Sequence, residues 1–291
     1  KDCCDGGNGG GGGGGGGGGN GSGSGSGPSA GPSGGDHAGD PCSTSTGVYY
    51  TIETDFAVPD LLPLEITRTY RSNYTNRRLL GLGTNNPYDL QLYTDQPWQK
   101  LSLILPNGSR VIFNRVSPGT SYSDAVLEST DAGTWYGARL SRNNARVGWD
   151  LVRRDGTRYY FPQYQRVTEI IDRLGRKVTI KRRDAGGEAG PMVAVIGPTG
   201  RGLSFTLNTD DTVASATDHT GRTVQYTYDA SARLTQVKDP LGQTTQYQYD
   251  TNHRLTQITD KRGNVSLTNA YDTNGFIQKQ TYADGSTIQF A

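Results

Sequence analysis

Three histidines, three cysteines and a recurring set of aspartates are the residues through which this 291-residue chain could do chemistry. His37 lies in a Gly-rich stretch, and His219 and His253 occupy positions that neighbouring segments fill with Pro240 and Ala232. A general acid or base needs a partner fixed at hydrogen-bond distance, and interchangeable turn positions supply none, so no catalytic residue is assigned. Cys3, Cys4 and Cys42 form no Cys-x-x-Cys and have no His pair nearby, which argues against a zinc site. Asp155, Asp172, Asp218, Asp229, Asp239, Asp250, Asp260, Asp272 and Asp284 recur about 10 residues apart. That spacing puts successive carboxylates at opposite ends of a hairpin, whereas calcium needs six to eight converging oxygens. They read as turn caps, and neither metal nor cofactor is expected. The basic run Arg173, Arg176, Lys177, Lys181, Arg182, Arg183 reads as a solvated strand end. The chain is nearly neutral at +1 and no stacking platform accompanies the run, so no nucleic-acid partner is expected.

The elements that carry these residues are repeats. Asp218 to Val237 and Asp239 to Ile258 repeat one pattern, and Gly200, Gly221, Gly242 and Gly263 lie 21 apart, as do Tyr228 and Tyr249. A fixed period near 20 residues marks a repeat architecture. Val224, Tyr226 and Tyr228 alternate with polar residues, as do Thr245, Tyr247 and Tyr249, which is the period of a half-buried strand. Leu234 and Val237, like Leu255 and Ile258, are three apart, so a bulge is expected to bring them onto one face. Asp-initiated turns ending in Gly join the strands. Each unit is therefore a hairpin with strands of about 7 residues, or roughly 23 Å, and several in register share one sheet. Weaker copies follow through Tyr271-Asp272 and from Asp284, and precede at Asp155, Asp172 and Thr199; an insertion near Gly186-Gly187-Glu188 fits a longer loop.

Upstream the composition changes. Of the 42 glycines, 22 precede Val48. Residues 1–38 read as a disordered Gly/Ser-rich linker, which cannot bury apolar surface. Residues 39–115 read as a small β domain with Leu64, Ile66 and Tyr70 facing inward and an Asn107-Gly108 hairpin. Residues 116–154 connect it to the repeat sheet at 155–291. The fold class is all-β. No apolar run approaches the ~18 residues of a membrane-spanning helix.

The pairs Tyr228-Asp229, Tyr249-Asp250 and Tyr271-Asp272, with a Gly before each and Arg233-Leu234 and Arg254-Leu255 after two of them, resemble the YD repeats of the Rhs family. Gly39-Asp40-Pro41, Glu53-Thr54-Asp55-Phe56 and Thr67-Arg68-Thr69-Tyr70-Arg71 resemble the domain that precedes those repeats, although Gly83 to Tyr88 lacks the usual Trp and Cys42 replaces an aliphatic residue. The resemblance implies a sheet that curls into a hollow shell around a C-terminal toxin domain, and the chain is expected to be an opening fragment of it. It also implies a secreted or cell-surface bacterial protein, non-catalytic over this stretch, with a secretion-system or cell-surface partner. The rival is an adhesion protein that binds glycans through Tyr226 and Tyr247. Family shells carry an aspartyl self-cleavage site with an Asp-Pro-x-Gly stretch; Asp239-Pro240-Leu241-Gly242 matches those letters but falls at an ordinary inter-unit turn and is assigned to turn chemistry.

Overall fold

The computed structural model describes residues 47–163, 166–184 and 189–290, together with the pairs His37–Ala38 and Cys42–Ser43. The linker expected at 1–38 lies outside the described residues except for its last two, which form a strand against Cys42–Ser43. The Gly186-Gly187-Glu188 insertion also lies outside them. Among the described residues every regular element is a strand, and no helix is long and apolar enough to cross a membrane.

Nineteen strands, from Gln91–Gln96 to Thr287–Gln289, form one antiparallel sheet in which each strand pairs with the next in sequence. Its beginning closes on itself. Gln91 bridges to Arg166, and the Val167 N–H donates to the Leu90 carbonyl at 2.9 Å. The strands from Gln91–Gln96 to Arg158–Pro162 thus ring a core of Leu92, Leu101, Leu103, Phe113, Leu127, Leu140, Trp149 and Phe161, all fully buried. Closure runs through this bridge; the last strand, Thr287–Gln289, pairs with Ile277–Tyr282. The Asn107-Gly108 hairpin joins Lys100–Ile104 to Arg110–Arg115 as the second and third strands of this large sheet. The stretch 116–154 contributes three more strands to it, Val126–Ser129, Arg139–Asn143 and Gly148–Val152.

A smaller sheet of Tyr50–Val58, Leu64–Arg71 and Thr84–Asn85 packs against the repeats. Leu64, Ile66 and Tyr70 are buried in the shared core. Alternation decides which side of each strand faces inward.

Within the repeats the alternation holds. Val224 and Tyr226 are buried, and Thr223, Gln225 and Thr227 lie further out. The expected bulge is present: Thr227 pairs with Gln236 but Tyr228 pairs with Leu234, which leaves Thr235 as the extra residue. The same slip occurs between Gln248 and Tyr249. It brings Leu234 and Val237, and Leu255 and Ile258, onto the buried face. The strands are slightly shorter than expected, six residues in Thr223–Tyr228 and five in Leu234–Lys238, because the bulge and the side-chain-capped turns take up the remainder.

Candidate functional site

The recurrent residues build a ladder across the units, beginning at the aspartates. Asp229 Oδ1 accepts hydrogen bonds from the Ser231 and Arg233 N–H groups at 2.9 and 3.0 Å, and its Oδ2 accepts from Arg233 Nε at 2.7 Å. Asp250 repeats the set with Asn252 and Arg254. Asp272 caps Asn274 and Phe276, and since Phe276 stands where the other units have Arg, the carboxylate gains no guanidinium there. Burial works against ionisation of Asp229, but the Arg233 backbone and side-chain bonds outweigh it and hold the carboxyl below the usual carboxylate range. At the other end of the hairpin Asp218, Asp239 and Asp260 cap the inter-unit turns in the same way. Each of these turns ends on a glycine with φ between +83° and +89°, namely Gly221, Gly242 and Gly263, with Gly200 alike at +85°.

The tyrosines tie one unit to the unit before. The hydroxyls of Tyr228, Tyr249 and Tyr271 donate to the carbonyls of Val213, Leu234 and Leu255 at 2.9, 2.8 and 2.7 Å. The three acceptors occupy equivalent positions at the start of the preceding unit's second strand. The arginines run the other way. Arg233 lies 5.3 Å from the Tyr249 ring centroid and donates Nη1 to the Asp250 carbonyl at 2.9 Å. Arg254 does the same with Tyr271, at 4.8 Å, and Asp272, at 3.2 Å. A unit therefore reaches backward with a hydroxyl and forward with a guanidinium, and cation–π contact adds about 0.5–2 kcal/mol at each step. Burial pushes all three tyrosine hydroxyls well above their ordinary value, so they act as neutral donors. This site joins elements; its groups are occupied by one another.

A second cluster was not read from the sequence. Arg68 Nε and Nη2 donate to the two oxygens of Asp55 at 2.6 and 3.0 Å. The Tyr226 hydroxyl donates to Asp55 Oδ2 at 3.0 Å, and Arg68 Nη2 also donates to the Tyr247 hydroxyl at 2.9 Å. Both members of the ion pair are 6% exposed. The small sheet is thereby bonded to two successive repeats. Tyr226 and Tyr247 are themselves buried, which corrects the expectation that they offer ring faces to a glycan. The signal that was available is their 21-residue spacing as a second tyrosine ladder, two residues before the first. Backbone bonds extend the contact. Val213 N–H donates to Leu79, Leu82 N–H to Ala232, Leu255 N–H to the Tyr70 hydroxyl and Ile277 N–H to Gly47, at 2.8 to 3.0 Å. Residues 47–83 thus touch four consecutive units.

The remaining sequence candidates are turn residues. His253 sits at φ +64° on a hairpin tip where the next unit has Gly275, and the His219 N–H donates to the Gly202 carbonyl. Asp239 caps Leu241 and Gln243 and accepts Lys261 Nζ at 2.7 Å. Among the described residues no three His, Cys, Asp or Glu side chains gather as a metal would require.

Residues 39–113 match a domain of unknown function (DUF6531), and residues 208–242 and 233–265 each match an RHS repeat. No match to a curated protein was found. The two RHS matches overlap across the Arg233–Gly242 stretch, where the ladder passes from one unit to the next. With a DUF6531 domain leading into RHS repeats whose Tyr-Asp pairs bond unit to unit, the chain is an Rhs/YD-repeat protein.

Proposed function

We propose that the chain is a wall segment of the encapsulating shell of a secreted bacterial YD-repeat toxin, non-catalytic over this stretch. The observation that carries this reading is the two-way ladder. Successive units bond through Tyr at three junctions and through Arg at two of them, so units add to the sheet on one plan. Strand twist curls such a sheet as it extends, which supports its use as a container wall. The beginning of the sheet is closed at the Gln91–Arg166 bridge, which supports an enclosed start. The cargo in this reading is a toxin domain of the same full-length protein, which would be delivered through a secretion-system or cell-surface partner. Adhesion through Tyr226 and Tyr247 has no exposed ring to work with.

The test is mass spectrometry of the protein purified from its native source, combined with limited proteolysis. Many further YD units and an unrelated C-terminal domain that resists protease until the shell is denatured are the expected result. A few units ending at a surface anchor, with no protected domain, would refute the shell reading.

A further inference from the structure

Independently of the shell, the start of the sheet carries a surplus of buried positive charge beside a cavity. Asp89 is 1% exposed and stands among three guanidiniums: Arg166 at 3.1 Å, Arg182 at 3.8 Å and Arg78 at 4.0 Å. Among the described residues, three guanidiniums thus face one carboxylate. Although Arg166 is near, neither oxygen of Asp89 receives a well-directed hydrogen bond, and Arg182 Nη1 has no acceptor. Burial pushes Arg182 down to about 10 even with Asp89 acting against it, and Arg166 adds to the depression. Isolated buried charge is costly unless something pairs with it.

Arg78 carries this surplus to the surface. It lines a cavity of about 180 Å³ together with Tyr74, Asn76, Gln91, Tyr93, Ile104 and Arg110. Arg78 gives Nε to the Tyr74 hydroxyl and Nη1 to Gln91 Oε1, which fixes the guanidinium while its Nη2 has no acceptor among the described residues. Arg110 leans over the Tyr93 ring at 5.8 Å and forms no ion pair among the described residues. No acidic residue lines the cavity, and Gln91 in its wall is the residue bridged to Arg166.

We propose that this cavity binds a small phosphate-monoester ligand, its two negative charges answering the two guanidiniums that line it, Arg78 and Arg110. Arg78 and Arg110 take the phosphate oxygens, a geometry that guanidinium forks suit. Asn76 and the Gln91 amide supply further donors, and Ile104 with the Tyr93 ring walls the organic part. The volume is below the roughly 300 Å³ of drug-sized sites, so the ligand is small.

Isothermal titration of the whole chain with methyl phosphate, sulfate and acetate at equal ionic strength tests this. Methyl phosphate is expected to bind saturably at one site, and Arg110→Gln, an exposed strand position, weakens it at least ten-fold with an unchanged circular dichroism spectrum. Between pH 7.5 and 5 methyl phosphate affinity falls about ten-fold, because the second phosphate proton goes on near pH 6, while sulfate affinity holds. Acetate binding as tightly as phosphate, an equal pH response of both dianions, or indifference to Arg110→Gln overturns the proposal.

Discussion

Two tyrosines of the ladder differ in one respect that can be measured. Tyr249 donates to the Leu234 carbonyl at 2.8 Å. Tyr271 donates to the Leu255 carbonyl at 2.7 Å, but that carbonyl also accepts Asn269 Nδ2 at 3.1 Å. Tyr→Phe removes only the hydroxyl, keeping the ring volume and the Arg233 or Arg254 stack. At Tyr249 the loss strips the side-chain donor from a carbonyl of the buried Leu234, for which about 1–3 kcal/mol is typical. At Tyr271 a second donor remains, so the cost is that of one net hydrogen bond, about 0.5–1.5 kcal/mol. Urea melts of the two variants against wild type read the difference directly, and a chain of this size loses about 2–4 °C in Tm per kcal/mol. Tyr249→Phe should be the more damaging. A Tyr271→Phe that costs as much or more would mean that the Asn269 amide does not stand in for the lost hydroxyl at the Leu255 carbonyl.

Gly242 has φ +83° and open space around it, the nearest atom to an added Cβ being Lys238 Cε at 3.8 Å. Gly242→Val should therefore cost the backbone strain alone, on the order of 1–3 kcal/mol by urea melt. Gly81→Ala meets the Ala232 carbonyl oxygen at 2.6 Å in addition to a φ of +94°, and the same assay should show a larger loss than for Gly242→Ala. Arg68→Met leaves Asp55 buried without its cation, a loss of about 3–5 kcal/mol; adding Asp55→Asn should recover part of it, and a double variant no better than the single would argue against the pair. Asp218 is held down from the ordinary 3.8 to about 2 because bonds from Thr220 and Arg222 outweigh burial. A depressed carboxyl contributes stability above its unfolded value and loses it as pH falls through the folded one. Wild-type stability should thus drop between pH 4 and 2, with a shallower slope in Asp218→Asn, as read by denaturant midpoints.

The repeat hairpins were legible because their signals are local. Alternation, the Asp-to-Gly turns and even the bulge follow from neighbours within one 21-residue unit, and the three-residue gap from Leu234 to Val237 admits few other solutions. What joins the units was only half visible. The Tyr-Asp pair could be seen, yet Arg233 serves Asp229 in its own unit and Tyr249 in the next, and nothing local tells which. The Asp55–Arg68 pair was illegible for a stronger reason: its partners Tyr226 and Tyr247 lie 171 and 179 residues away. Sequence alone also grouped Lys100–Ile104 and Arg110–Arg115 with the N-terminal block, since a hairpin's own turn does not disclose which sheet it joins. The charge surplus around Asp89 has the same origin, because Arg182 reads as one member of a solvated basic run until the fold brings it inside.

The strip of contacts from residues 47–83 to four repeats also sets a clock on biosynthesis. Tyr70 donates to the His253 carbonyl and accepts the Leu255 N–H, 183 and 185 residues further on. At about 5–20 residues per second, the ribosome needs roughly 10–40 s to supply those partners after Tyr70 is made. During that interval the segment of Leu64 and Ile66, buried in the finished protein, lacks part of the repeat surface that it packs against. A segment made well before its partners is therefore among the last to be completed, and holding it soluble meanwhile is a task for whatever meets the nascent chain.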